Sequence, residues 1–145
     1  MIISKDLTSE IYAIGGKILH KNSRGENLVK WALDKLNIKY EQEKIIHLKD
    51  YDPSKMTHWG RADFYIKSPI PTIIEYNGKQ HYEYSPELQG TEYKYSKQQW
   101  RDIALKEYCK SNGIRLINIK YSVGPKDIIP KLKSALQNSD SSDIS

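Results

Sequence analysis

The stretch "PTIIEYNGKQH" (residues 71–81) sets an apolar, β-branched run directly against Glu75, an Asn-Gly pair and then Lys79, Gln80 and His81. The run reads as a buried strand, and Asn77-Gly78 is a strong hairpin signal that needs no function of its own. A turn alone does not account for a carboxylate, an amide, an ammonium and an imidazole arriving together. Just upstream, "RADFYIK" (61–67) is separated from this strand by the short, proline-containing "SPI", so the two are expected to pair antiparallel. That pairing brings Asp63 beside Glu75. Period-two alternation puts Glu75 and Asn77 on one face of the second strand and Tyr76 on the other.

Further out, Leu28, Val29, Ala32, Leu33 and Leu36 fall on one arc of a 3.6-residue period, predicting a helix from Ser23 that Asn37 closes. "IKYEQEKIIHL" (38–48) reads as a first strand and "KDYDPSKMTHWG" (49–60) as a loop. Residues 82–95 read as an extended loop, 96–112 as a second long helix stopped by Gly113, and "IRLINIKY" (114–121) as a buried strand. A last amphipathic helix follows Pro125, started or interrupted at Pro130. Residues 1–22 form a lead-in with one short helix before Gly15, and the polar residues 138–145 a flexible tail that frays. The expected fold is α/β, with a central mixed sheet of four to five strands flanked by helices. One domain is expected over 1–145, with its core over 23–137.

Twenty-three basic against eighteen acidic residues leave a net charge of +5, a balance that favours a polyanionic partner. The single cysteine, Cys109, excludes an intramolecular disulfide and suits a reducing compartment. No apolar run approaches membrane-spanning length, and "MIISKDLTSE" lacks the pattern of a signal peptide. A cytoplasmic protein is expected, with no membrane partner and no small-molecule cofactor.

Two carboxylates converging on a mostly apolar sheet repel one another, and a divalent cation is the simplest remedy. Asp63 also fits a surface ion pair with Arg61 or Lys67, and Glu75 fits the exposed end of a strand. Lys79 can act as a point charge beside a phosphate, and His81 titrates near neutrality and can move a proton. Glu26 lies at the edge of the apolar stripe of the first helix, where it can look towards the sheet. "SRGE" (23–26) equally makes Glu26 the reciprocal partner of Ser23 in a capping box. Gln98, Asp102 and Lys106 recur at i, i+4 and i+8, flanking a face made by Trp100, Ala104, Leu105 and Tyr108. Such a row can line a site, or be a solvated face carrying an Asp–Lys pair.

Taken together, "GENLVKWALDKLNIKYEQEK", "RADFYI", "IIEYNGKQHY" and "RDIALKEYCKSNGIRLINI" resemble, in order and context, the PD-(D/E)XK nuclease superfamily. The likeness is to its small members related to very-short-patch repair endonucleases, of the phage or mobile-element type, and covers roughly Gly25 to Tyr121. The resemblance implies a restriction-endonuclease-like core and a metal-dependent endonuclease acting on double-stranded or branched DNA. It implies that Asp63, Glu75 and the carbonyl of Tyr76 bind Mg2+, with Mn2+ as a substitute, and that Glu26 organises the water shell. The superfamily's usual lysine two residues after the second acid is here Asn77. This departure leaves Lys79, Gln80 and His81 as candidates for the remaining polar and proton-transfer roles. Arg61, Lys67, Lys94, Lys97, Arg101 and Lys106 are the expected phosphate contacts, with Gln98 and Asp102 in support. Tyr82, Tyr84, Tyr93 and Tyr95 either stack on bases or pack on their own domain. A homodimer would supply two active sites for a double-strand break. The competing expectation is a nucleic-acid-binding or accessory subunit that keeps this fold with weak or no catalysis of its own.

Overall fold

The apolar arc that begins at Leu28 winds into α1 (Arg24–Lys35), and a computed structural model of the chain shows how both ends are fixed. It describes residues 13–14, 17–18, 23–47, 59–78 and 92–145, with side chains described over 23–46, 60–78 and 98–145. At the N-terminus of α1, Glu26 N–H donates to Ser23 Oγ and Ser23 N–H donates to Glu26 Oε1, both at 3.1 Å. At the other end Asn37 takes a left-handed φ of 56°. There Ile38 N–H reaches the Leu33 carbonyl at 3.0 Å and Asn37 N–H reaches that of Asp34 at 3.1 Å, a Schellman closure with asparagine in the usual place of glycine.

Two short strands, β1 (Ala13–Ile14) and β2 (Lys17–Ile18), pair antiparallel, with β1 where a short helix before Gly15 was expected. The main sheet consists of β3 (Glu41–His47), β4 (Trp59–Ile66), β5 (Thr72–Asn77), β6 (Arg115–Lys120) and β7 (Ser142–Ile144), in that spatial order. The β3–β4 and β4–β5 pairs are antiparallel, and the β5–β6 and β6–β7 pairs are parallel. The protein is thus α/β with a five-stranded mixed sheet. Two helical connections serve its parallel half: α2 (Glu92–Asn112) between β5 and β6, and α3 (Pro125–Gln137) between β6 and β7. Helix α2 begins at Glu92, inside the stretch expected to be loop, and ends where Gly113 takes φ 67° and Ile114 N–H bonds the Cys109 carbonyl at 2.9 Å. Pro125 starts α3, and Pro130 lies inside it without ending it.

The sheet is buried on both faces. Val29, Ala32 and Leu33 of α1 and Ile128, Leu132 and Ala135 of α3 pack on Phe64, Ile74, Ile117 and Ile119. Ala104, Leu105 and Cys109 of α2 pack on Ile46, Ala62, Ile73 and Leu116 from the opposite side. Each such leucine or isoleucine contributes about 1.5–3 kcal/mol by leaving water. Trp100, expected on the core face of α2, is instead 43% exposed, because that helix turns Ala104, Leu105 and Cys109 inward.

The C-terminal residues correct the expectation of a flexible tail over 138–145. Ser142–Ile144 form an edge strand on β6, and Ile144 is only 6% exposed. The polar composition hid one apolar residue and a free strand edge waiting for it. The approach is pinned by Arg115, which is buried. Its Nη1 donates to the carbonyls of Leu136 at 3.1 Å and Asn138 at 2.6 Å, while Nε donates to Thr72 Oγ1 at 2.9 Å.

One close approach ties α1 to the sheet. The Tyr76 ring lies over Gly25, so that a Cβ at position 25 would overlap the ring. Gly25→Ala should therefore lower stability by about 1–3 kcal/mol, as overpacking a filled site does. Its urea midpoint should fall without a change in slope; an unchanged midpoint would mean the ring moves aside freely.

Candidate active site

The β4–β5 ladder runs from Ile66↔Thr72 to Phe64↔Ile74 and stops there. One step further, two side chains take over from the backbone. Asp63 N–H donates to Glu75 Oε2 at 2.8 Å, and Tyr76 N–H donates to Asp63 Oδ2 at 2.9 Å. The strands part at this point, and each carboxylate satisfies the amide that the parting left without a ladder partner. The break also reverses β4. Ala62 belongs to the core under α2, whereas Phe64, two residues on, belongs to the core under α1 and α3. In a regular strand the two would share a face.

Glu26 and Glu43 join Asp63 at this gap, and one carboxylate oxygen from each of the three lies within 4.8 Å of the others. Glu26 meets the cluster while also closing the capping box, so the two readings of "SRGE" hold together. Glu75 stands across the sheet, 5% exposed. Burial pushes the Asp63 carboxyl up to about 9, the charge of Glu75 adds to this and that of Glu26 adds less, while the Tyr76 N–H bond pulls the other way. Burial, aided by the same Glu75 charge, pushes the Cys109 thiol up to about 12, which leaves it a thiol at neutral pH.

Sequence reasoning missed Glu43. Its register reveals it, because the pairs Gln42↔Phe64 and Lys44↔Ala62 bracket Glu43 and Asp63. Glu43 has φ 56°, a left-handed conformation uncommon for a residue with a side chain. Within "EQEK" nothing local marks one glutamate over another, so only the strand pairing could have found it.

The other expected residues divide into two groups. Asn77 does not join the Glu26–Glu43–Asp63 cluster; its Nδ2 donates to Asn118 Oδ1 at 3.2 Å on β6. With Glu75, Asp102 and Lys106 it lines a cleft of about 570 Å³ between α2 and the β5–β7 half of the sheet. Arg61 pairs with Glu43 at 3.3 Å, and Arg101 donates to the Arg61 carbonyl at 2.8 Å, so both arginines border the cluster. Lys67 does not belong with them. It follows Ile66 at the opposite end of β4, about 13 Å along the strand from Asp63 at the usual rise. The side-chain oxygen of Gln98 is buried with no hydrogen-bond partner among the described residues. Lys79, Gln80 and His81, with Tyr82 and Tyr84, lie outside the described residues. So do the side chains of Tyr93, Lys94, Tyr95 and Lys97, although α2 includes their backbone.

The chain is similar to viral proteins. It is 41% identical over 98 residues to uncharacterized protein 094L of Frog virus 3 (isolate Goorha), a match covering 65% of this chain and 59% of that protein. It is 38% identical over 71 residues to uncharacterized protein 033L of Invertebrate iridescent virus 3, covering 47% of this chain and 37% of the relative. Against uncharacterized protein 307L of Invertebrate iridescent virus 6 the identity is 36% over 64 residues, covering 44% and 32%. The chain therefore spans about a third to three fifths of the length of these curated relatives. No family model and no solved structure matches it. Among the described residues, no helix is long and apolar enough to cross a membrane.

Proposed function

We propose that the protein is a divalent-metal-dependent endonuclease that hydrolyses DNA phosphodiester bonds, with a restriction-endonuclease-like core of the PD-(D/E)XK kind. One observation carries the reading: at the opened β4–β5 ladder Glu75 accepts from Asp63 N–H and Asp63 accepts from Tyr76 N–H, while Glu26 and Glu43 bring two more carboxylates up to Asp63. Such a group of carboxylates is costly to bury unprotonated unless a cation is present, and an all-oxygen donor set suits magnesium or manganese. Asp63, Glu75 and the Tyr76 carbonyl would hold the ion, with Glu26 orienting water beside it. When bound, the metal supplies stabilisation of the charge that develops on the phosphate.

The chain's own groups do the rest. Arg61 and Arg101 border the acids and would steady the substrate's phosphates, giving salt-sensitive binding. Lys79, Gln80 and His81, following Glu75 in sequence, would orient the attacking water, with Lys79 or His81 taking its proton. A second reading, a binding or accessory subunit with weak catalysis, is favoured by Asn77, whose amide is turned to Asn118 where a cation would otherwise stand.

Incubation of the purified chain with supercoiled plasmid and with branched DNA tests both. Nicking in magnesium or manganese, lost on adding a chelator, is expected. Salt-dependent binding with no cleavage in either metal would overturn the enzyme in favour of the binding subunit.

A further inference from the structure

Among the described residues, α1 and α3 cover one face of the sheet and α2 covers the other. The inward residues of α2, Ala104, Leu105 and Cys109, reach the core formed with Ala62, Ile73 and Leu116. The cleft of about 570 Å³ opens beneath it, bounded at one end by Glu75 itself. Its floor is a row of polar groups running across three parallel strands. Asn77 Nδ2 donates to Asn118 Oδ1, and Asn118 Nδ2 donates to Asp143 Oδ1, each at 3.2 Å. The register matches, with Asn118 opposite Glu75 on one side and Asp143 on the other. Leu105, Ile114 and Leu116 supply apolar wall.

The charges of the cleft select what can enter. Carboxylates from Glu75, Asp102 and Asp143 stand against ammonium groups from Lys106 and Lys110. A phosphate gains little from that balance, and a wholly apolar group would strip water from the amide row without replacing its bonds. A flat, neutral group with apolar faces and amino donors on its edge meets both demands. The volume lies in the range of sites for small ligands and nucleotides.

We infer that this cleft accepts a nucleobase bearing an exocyclic amino group, unpaired from its partner strand, next to the phosphodiester that is cut. The inference rests on the nuclease reading and names its substrate: DNA with an unpaired nucleotide at the cleavage point. The row Asn77–Asn118–Asp143 reads the edge of the base, and the apolar wall takes its face, as in other sites that hold a base outside the stack. Because the row is already bonded across the strands, little ordering is needed when the base arrives.

The test measures binding, with calcium in place of magnesium to avoid relying on cleavage. Oligonucleotides carrying 2-aminopurine at an unpaired position should bind with a several-fold change in fluorescence. An abasic site at that position should weaken binding to the wild-type chain roughly tenfold, about the worth of one lost set of hydrogen bonds. Asn118→Leu, which keeps the branched shape and loses both polar atoms, should produce the same loss on the 2-aminopurine strand and leave binding to a fully paired duplex unchanged. Equal affinity for base and abasic strands, or an Asn118→Leu chain that melts like wild type and binds the unpaired strand equally well, would overturn the inference. Failure of the wild-type chain to cleave any DNA in either magnesium or manganese would instead overturn the nuclease reading, and leave the base-binding cleft to stand or fall on the binding measurements.

Discussion

Glu75→Gln should leave supercoiled plasmid essentially intact in magnesium, with cleavage on the order of a thousandfold below wild type, about 4 kcal/mol of lost transition-state stabilisation. Glutamine is the informative replacement because its carbonyl still accepts the Asp63 N–H that Glu75 Oε2 accepts at 2.8 Å. The gap between β4 and β5 then keeps its bridge, and what disappears is one negative charge. Glu75→Ala removes charge and bridge together, so it should lose stability as well as activity. Initial rates of nicking, with thermal melts of each variant, separate the two effects. A Glu75→Gln chain that cuts at the wild-type rate would place the metal elsewhere.

Asp63→Asn should do the opposite to stability. In the folded chain the Asp63 carboxyl is raised from its ordinary value of 3.8 to about 9, chiefly by burial and then by the charge of Glu75. Between those values the folded state binds more protons than the unfolded one, so stability falls as pH rises through that window. Asparagine does not titrate, and its carbonyl can still accept the Tyr76 N–H. Without added metal, the variant should be more stable at pH 8 by about 2 kcal/mol, roughly 5 °C in Tm, with the gain vanishing near pH 3.5. Magnesium should raise the Tm of wild type and not that of the variant, which should also be inactive. If the two chains melt alike at pH 8, burial of Asp63 is not costly and the case for a cation loses its main support.

Much of this site was legible because its signals are local. The arc Leu28 to Leu36 gave α1, and the alternation through "EYN" gave Glu75 and Asn77 on the face towards α2, with Tyr76 towards Gly25. Asp63 and Glu75 could be paired from two adjacent strands joined by a short turn. Three features were not legible because each depends on a distant partner. Glu43 is singled out only by its position across β3–β4 from Asp63. Ile144 is one apolar residue among polar ones, and it becomes a strand only because β6 offers an edge and Arg115 holds the preceding carbonyls. Asn77 stood where a cation was expected, and only the register Glu75↔Asn118 shows that an asparagine on β6 receives its amide.

On the nuclease reading proposed above, the reciprocal bonding at the parted ladder also constrains how the lineage could lose that activity. Asp63 and Glu75 each close the hydrogen-bond account of a neighbouring strand, so most replacements would damage the sheet before selection could relax on activity. The amides are the exception, since they keep the accepting oxygen and shed the charge. A descendant that has retired as an enzyme but still folds should therefore betray itself by Asn at position 63 or Gln at position 75, and such a change would be a mark of disuse instead of decay.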